Sequence, residues 1–220
     1  KLKRIDLAGG TPLTLADAAN PRGGSWSKNG VIIFVPASGK PVHRIPASGG
    51  EATALTLGPD EYDWQAWPHF LPDGLRFLVT ANMKGSAHVL VASLEGKEAR
   101  VLTKRASKFE YSDDHVFFGQ KGSLFAQRFD ARTSTLAGEP FRVAENLGYS
   151  FGSVSSYAFS VSSHGTVAYW GGPMTPLTQL TWFSRAGHRL GTFGDPGGNV
   201  GFTVAPNLQQ AVLERHDPKI

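Results

Sequence analysis

The most recognisable catalytic pattern in the sequence is Gly148-Tyr149-Ser150-Phe151-Gly152, which fits the G-x-S-x-G form of a serine nucleophile elbow. Asp195 and His216 follow in the order Ser, Asp, His. Such an elbow requires a strand, a strained turn and then a helix. The residues after Ser150 read as a strand instead, and a chain with 26 glycines produces this short pattern readily by chance. We therefore predict a loop that leads into a repeat unit, and no catalytic residue.

The histidines do not form a metal-binding pattern. No two of the seven stand at the i, i+3 or i, i+4 spacing of a helical site, and no H-E-x-x-H is present. Asp113-Asp114-His115 places three ligand types in a row, but adjacent residues of a strand point to opposite faces, so a surface turn is predicted. The chain has no cysteine, which excludes disulfides, thiolate metal sites and a cysteine nucleophile. We predict neither a metal nor a cofactor.

A hairpin around Pro72-Asp73-Gly74 is the element that organises the chain. Apolar residues alternate after it with the period of a strand, and Pro and Gly suit the tight turn. The pattern recurs at Asn29-Gly30 and His164-Gly165, and more weakly at Asp113-Asp114 and Pro206-Asn207. The turn glycines 30, 74 and 165 are 44 and 91 residues apart. A period of about 40–50 residues with four short strands per unit is typical of propeller blades.

The repeats predict an all-β protein, a single β-propeller fragment over residues 1–220 with four-stranded antiparallel blades. Four blades are expected at about 23–56, 64–103, 108–143 and 148–193, with incomplete blades at 1–15 and 200–215. The fourth carries an expected insertion at 171–176. Because the chain opens inside a repeat and stops just after a strand, we expect a piece of a longer protein whose ring has six to eight blades.

The loops that lead into successive blades are the predicted binding surface. Residues 61–67 combine two acids with three aromatic residues, and such loops gather at one mouth of a propeller channel. The alternative is that the aromatic rings simply pack between blades, and that His69 is an inter-blade hydrogen-bonding residue. The candidate ligand-binding or partner-binding residues are Arg22, Trp26, Tyr62, Asp63, Trp64, His69, Tyr149 and Phe151.

Composition and charge narrow the class of partner. Hydrophobic residues at 40% and charged residues at 18% are typical of a globular protein rather than a disordered one. The net charge is +4, but the basic clusters are as short as Lys3-Arg4 and Lys104-Arg105, so no nucleic-acid partner is predicted. The longest apolar run, 31–35, falls far short of the roughly 18 residues of a membrane span, so none is predicted within this chain.

Hairpins of the S-x-D-G type alternate with hairpins of the I-D-L-x-G-G type, and this alternation resembles the WD40-like (TolB-type) β-propeller repeats of bacteria. The segments 2–10, 22–26, 67–74, 138–140 and 179–187 are most similar to the propeller regions of bacterial serine/threonine protein kinases. The resemblance covers essentially the whole chain. In such kinases the catalytic domain precedes a membrane span, and the propeller faces the periplasm or the exterior. No glycine-rich loop with its lysine, no H-R-D and no D-F-G occur here, so kinase activity is not assigned to this chain.

These features together predict a non-catalytic recognition or sensor scaffold that binds a protein, peptide or envelope ligand. The resemblance implies that it is the C-terminal region of a bacterial membrane serine/threonine kinase, at the periplasmic or extracytoplasmic face. Two alternatives are the gating propeller of a prolyl-oligopeptidase-like hydrolase and a TolB-like envelope scaffold. A third is a hydrolase that uses Ser150. The domains that flank this chain would discriminate the first three.

Overall fold

The structure is a computed structural model that describes residues 1–58, 62–96, 99–105, 107–150, 156–172, 178–197, 199–204 and 211–215. Over these residues the chain forms 22 β-strands and no helix, which confirms the all-β prediction. It follows that the described part of the chain offers no helix able to cross a membrane.

The strands of each sheet pair antiparallel in chain order, so the sheets are meanders. A two-stranded sheet comes first, formed by β1 (Leu2–Arg4) and β2 (Leu13–Ala16). The first four-stranded sheet contains β3 (Gly24–Trp26), β4 (Val31–Phe34), β5 (His43–Pro46) and β6 (Thr53–Ala54). The second contains β7 (Trp64–Phe70), β8 (Arg76–Met83), β9 (Ser86–Ser93) and β10 (Arg100–Thr103). The third contains β11 (Phe109–Ser112), β12 (His115–Gln120), β13 (Ser123–Asp130) and β14 (Thr135–Ala144).

The remaining strands pair two by two. They are β15 (Tyr149–Ser150) with β16 (Ser156–Tyr157), β17 (Phe159–Val161) with β18 (Val167–Tyr169), β19 (Thr178–Phe183) with β20 (Arg189–Gly197), and β21 (Asn199–Val204) with β22 (Ala211–Arg215). Among the described residues of region 148–193 the strands pair two by two, with no ladder from β18 to β19, and the four-stranded blade expected there stays a prediction. The insertion expected at 171–176 lies mostly outside the described residues.

The recurring hairpin turns join the first and second strands of their sheets. Gly74, between β7 and β8, has φ of 71°, a conformation that a side chain would disfavour. Asp113 and Asp114 have φ of 44° and 56° and link Ser112 directly to His115, which is the two-residue hairpin with both central residues at positive φ. The turn expected near Pro206 lies outside the described residues.

The hydrophobic core lies between sheets, and β8 shows why. Phe77 and Val79 are buried against Ile33 of the first sheet, whereas Leu78 is buried against Phe109 of the third. Because successive residues of a strand point to opposite faces, one strand contributes to two interfaces. Each sheet therefore depends on both neighbours for burial of its apolar faces.

The same stacking continues on either side. Leu15 of β2 shares a buried cluster with Phe34 and Ile45 of the first sheet. On the far side, Phe117 and Leu124 of the third sheet pack with Phe159 of β17. Sheets stacked face to face in chain order form the radial arrangement of propeller blades. The predicted fold class, a partial β-propeller of four-stranded antiparallel blades, is confirmed.

Hydrogen bonds from Arg76 to the turn at residues 131–134, which we call the polar latch, add to the contact between the second and third sheets. The Arg76 guanidinium donates from Nη2 to the carbonyl oxygen of Ala131 at 2.7 Å, and from Nη1 to Ser134 Oγ at 2.7 Å and to the Arg132 carbonyl at 3.1 Å. Its Nε lies 2.6 Å from Oδ2 of Asp73, which fixes the side chain. The latch holds the turn between β13 and β14 of one sheet against the second strand of its neighbour.

Candidate functional site

The first strands of successive repeats, β3, β7, β11 and β17, lie side by side. Hydrogen bonds cross from each to the next. The Phe70 amide donates to Ser25 Oγ at 3.1 Å, and Ser112 Oγ donates to the Ser162 carbonyl oxygen at 2.5 Å. The innermost strands of four repeats therefore converge on one region of the molecule.

A cavity of about 360 Å³ opens where these four strands reach their hairpin turns. This volume falls within the usual range for small-ligand pockets. The first repeat contributes Ser25, Trp26, Ser27 and Lys28, and the third contributes Tyr111. The second repeat contributes His69 and the apolar surface of Phe70, Leu71 and Pro72, and the fourth contributes Val161 and Ser163. We call this space the convergence cavity.

Apolar and aromatic surface dominates the convergence cavity. The Trp26 side chain is 55% exposed although it is a large aromatic residue on a strand. A largely exposed indole beside apolar residues is the kind of surface that binds a ligand ring or aliphatic chain. Hydroxyl groups and the Lys28 ammonium add hydrogen-bond donors around this surface.

His69 is a titratable group of the cavity wall whose pKa is shifted by its surroundings. Its Nε2 lies 3.3 Å from the carbonyl oxygen of Tyr111 on the neighbouring strand. Burial lowers the pKa of the His69 imidazole, and this effect outweighs the Glu110 carboxylate and the Tyr111 carbonyl, which favour the charged form. His69 is therefore a neutral imidazole near pH 7.

A buried ion pair lies next to this wall, formed by Glu110 of β11 and by Lys108, the residue just before β11. Lys108 Nζ lies 2.7 Å from Glu110 Oε1, and the two side chains are 17% and 11% exposed. Both groups also hold β17, because Lys108 Nζ donates to the Phe159 carbonyl at 2.5 Å and the Val161 amide donates to Glu110 Oε2 at 2.8 Å. The pair fixes the third and fourth repeats of the cavity relative to each other.

Two of the predicted site residues, Trp26 and His69, lie together in the convergence cavity. The residues Tyr62, Asp63 and Trp64 lie at the start of β7, whereas His69 lies at its end. Six residue steps of a strand separate Trp64 from Phe70, which corresponds to about 20 Å. The predicted residues of that loop are therefore not part of the convergence cavity.

The start of β7 borders a second cavity of about 410 Å³, lined in part by Tyr62 and Lys40. The Tyr62 hydroxyl donates to the Leu57 carbonyl at 3.1 Å, which ties it to the wall. Asp63 is exposed, and its amide donates to the Asn82 carbonyl oxygen at 3.0 Å. Trp64 is half-buried and pairs with Asn82 across the β7–β8 ladder.

The other predicted site residues are more dispersed. Arg22 is half-buried, and its carbonyl oxygen accepts a hydrogen bond from the Trp67 amide at 2.7 Å. Tyr149 lies in β15, and Phe151 is outside the described residues. Apart from Ser25 and Trp26, the described residues of the three leading loops do not line the convergence cavity, and the wall expected from those loops stays a prediction.

Two residues of the catalytic pattern, Ser150 and Asp195, lie in strands. Ser150 is the second residue of β15 and pairs with Ser156 of β16, and Asp195 lies within β20. His216 is outside the described residues. Within the described ranges, no group of three or more His, Asp or Glu side chains is placed to hold a metal ion.

Sequence reasoning missed Tyr111, Lys28 and Ser163 of the cavity wall. A signal for them existed, because each lies one or two residues before its hairpin turn, as Trp26 and Phe70 lie just before theirs. Aligning the repeats on the turns, rather than on the leading loops, would have grouped these positions.

No family model and no curated protein sequence matches this chain. Solved structures do match it. TolB from Acinetobacter baumannii superposes with a TM-score of 0.55 at 17% identity, over 95% of this chain and 52% of that protein. The putative TolB from Agrobacterium tumefaciens gives a TM-score of 0.56 at 15% identity, over 86% of this chain and 72% of its own. The calcium-binding protein regucalcin from Agrobacterium tumefaciens gives 0.50 at 13% identity, over 89% and 67%.

This chain spans about half the length of the Acinetobacter baumannii TolB that it matches. These superpositions establish a common fold, and at identities of 13 to 17% they establish nothing about function. The stacked meander sheets, the converging first strands and these superpositions agree with one another. The chain folds as a partial β-propeller of the TolB-like type.

Proposed function

We propose that this chain is a non-catalytic recognition scaffold that binds a protein or peptide ligand in the convergence cavity. One observation carries the proposal: equivalent strand ends and turns of four successive repeats line a single cavity around an exposed tryptophan, Trp26. The sheets supply a rigid frame, and the residues at their ends supply the contacts.

The lining favours a peptide over a polyhydroxylated ligand. Phe70, Leu71, Pro72 and Val161 present apolar surface, and the described lining residues include no carboxylate or amide side chain. A sugar needs several such planar polar partners for its hydroxyl groups, whereas a peptide segment offers apolar side chains and few polar groups. The nearest buried carboxylate, Glu110, is already engaged by Lys108 and the Val161 amide.

We further propose that the parent protein is a bacterial membrane serine/threonine kinase, with this propeller at its periplasmic or extracytoplasmic face. The support for this is the similarity of the sequence motifs to the propeller regions of such kinases. A TolB-like envelope scaffold is the second candidate, and the superpositions on TolB structures favour it at the level of fold. The domains encoded beside this chain distinguish the two, because only the first predicts a kinase domain followed by a membrane span.

The binding proposal is tested by selecting a phage-displayed peptide library on the immobilised protein. We expect enriched peptides to share an apolar or aromatic residue, and Trp26→Ala to weaken their binding at least tenfold, since truncating a central aromatic anchor typically costs more than about 1.4 kcal/mol. Trp182→Ala is the matched control, because Trp182 is 40% exposed but lies on β19, away from the convergence cavity.

Two results would overturn the proposal. One is a library that yields no peptide with affinity above background. The other is a set of peptides whose binding is lost in Trp182→Ala and retained in Trp26→Ala. A measured hydrolytic activity that Ser150→Ala abolishes would instead support the hydrolase alternative.

A further inference from the structure

The hydrogen bond of His69 fixes which of its ring nitrogens carries the proton. Nε2 lies 3.3 Å from the Tyr111 carbonyl oxygen, and a carbonyl oxygen only accepts hydrogen bonds. Nε2 must therefore be the donor, and in the neutral ring Nδ1 keeps its lone pair. The backbone of β11 thus selects the tautomer of a side chain on β7.

The second nitrogen is available to the convergence cavity. The His69 ring lines this cavity, and no residue in the described ranges hydrogen-bonds Nδ1. The other polar side chains of the described lining can each offer a proton: the Lys28 ammonium and the hydroxyl groups of Ser25, Ser27, Tyr111 and Ser163. The oxygen of the Ser25 hydroxyl already accepts a hydrogen bond from the Phe70 amide. In the neutral ring, Nδ1 of His69 carries no proton, so this atom can accept a hydrogen bond but cannot donate one.

Three charged groups lie near the His69 ring, and none of them takes over the acceptor role of Nδ1. Glu110 of β11 and Lys108, just before β11, act on the His69 ring and are paired to each other at 2.7 Å. Lys28 lies in the cavity wall of the first repeat. Burial of the ring opposes a second proton, since charging it would require desolvation of an imidazolium. At neutral pH the His69 ring is therefore neutral, and its Nδ1 can accept a hydrogen bond.

We propose that His69 Nδ1 is the specificity-determining acceptor of the convergence cavity, and that it selects a peptide segment by receiving a backbone N–H. A peptide unit carries one donor and one acceptor, which complement the Nδ1 lone pair on one side and the Ser25 and Lys28 protons on the other. An adjacent apolar side chain of the ligand then packs on Trp26. This inference rests on the proposed peptide-binding function and names the residue that determines which ligand binds.

The tautomer is tested first and without any ligand. Long-range ¹H–¹⁵N correlation spectra of the imidazole distinguish a protonated Nε2 from a protonated Nδ1. We expect His69 as the Nε2–H tautomer at pH 7.5, and His69 resonances are assigned with His69→Phe. A protonated Nδ1 in the neutral ring overturns the inference.

The second test uses two small probes, N-acetyl-phenylalanine dimethylamide and its Nα-methyl derivative. They differ by one N–H group, which only the first can donate. Backbone amide shifts of Trp26, His69 and Tyr111 report binding. We expect the N–H probe to bind about tenfold more tightly, as one hydrogen bond of about 1.4 kcal/mol implies.

His69→Phe should abolish this discrimination, whereas His188→Phe, in an exposed turn, should keep it. In the unsubstituted protein the advantage of the N–H probe should vanish as the pH falls through the pKa of His69, because the imidazolium offers no lone pair. Equal binding of both probes to the unsubstituted protein overturns the inference but leaves the binding site standing. If neither probe shifts the cavity resonances, and the library selection also fails, the proposed function itself falls.

Discussion

The Val161 amide of β17 donates a hydrogen bond to the Glu110 carboxylate of β11, with 2.8 Å between N and Oε2. The other carboxylate oxygen lies 2.7 Å from Lys108 Nζ, and Lys108 in turn donates to the Phe159 carbonyl. A buried ion pair of one repeat thus satisfies two backbone groups of the next. It takes the place of the ladder hydrogen bonds that cannot form between strands of different sheets.

Glu110→Ala should destabilise the protein by about 3 kcal/mol or more, because it leaves the Lys108 ammonium buried without its partner. Urea denaturation followed by fluorescence measures the change in free energy of unfolding. Glu139→Ala, an exposed acid on β14, is the control and should change stability by less than about 0.5 kcal/mol. The double variant Glu110→Leu with Lys108→Met should recover only the part of the loss that is due to the unpaired ammonium, because the Val161 amide and the Phe159 carbonyl still lack their partners. A double variant as stable as the unsubstituted protein would contradict the account.

Arg76→Lys should be nearly as destabilising as Arg76→Ala, each by about 2 kcal/mol. The guanidinium reaches the Ala131 carbonyl, Ser134 Oγ and the Asp73 carboxylate at once, and a single ammonium cannot reproduce this fork. Thermal and chemical denaturation check both variants. Arg132→Ala, with a side chain that is 86% exposed, is the control and should be close to neutral. Full stability of Arg76→Lys would show that charge alone holds the latch.

Gly23→Ala should cost about 2 kcal/mol more than Gly9→Ala. Both glycines have nearly the same φ, 91° and 93°, so the backbone penalty is matched. A Cβ at Gly23 would lie 3.0 Å from the Trp67 Cα, whereas a Cβ at Gly9 would meet nothing within 4 Å. The difference in unfolding free energy isolates the close approach of the first and second repeats. Equal costs would mean that these two strands do not approach in this way.

The stability of the protein should fall as the pH drops below about 6.5, the ordinary pKa of histidine. The folded-state pKa of His69 is lowered, so below 6.5 the unfolded chain binds a proton that the folded protein does not. The loss should reach up to about 1.4 kcal/mol per pH unit until the folded-state pKa is passed.

Unfolding curves at a series of pH values check this prediction. His69→Phe should remove the part of the acid slope due to this group, and His188→Phe should leave it in place. The prediction fails if the slopes of the unsubstituted protein and His69→Phe are the same between pH 6.5 and 5.

The sequence predicted the fold well, because strands, turns and period are local signals. The turns at Gly74 and Asp113-Asp114 follow from residue types that tolerate positive φ, and β8 shows the alternation that buries both of its faces. The blade predicted at about 148–193 stays a prediction, because the described residues of that region pair only two by two.

The candidate site was predicted only in part, for a geometric reason. Trp64 and His69 are five residues apart in the sequence and were assigned to one surface, but β7 carries them to opposite ends. Trp67 adds an irregularity, because its φ of 52° and the register shift between Ala66 and His69 reset the alternation of the strand. Which residues meet at the convergence cavity depends on the angle between sheets, and that angle is not encoded in any one repeat.

The measurement that tests the central claim most directly is a fluorine NMR titration of protein labelled with 5-fluorotryptophan. The chain has five tryptophans, and single Trp→Phe variants assign their resonances. On addition of a library-selected peptide, we predict that the Trp26 resonance shifts and saturates with the binding isotherm, while the Trp182 resonance does not move. A peptide that binds but shifts Trp64 or Trp182 and leaves Trp26 unchanged would contradict recognition at the convergence cavity.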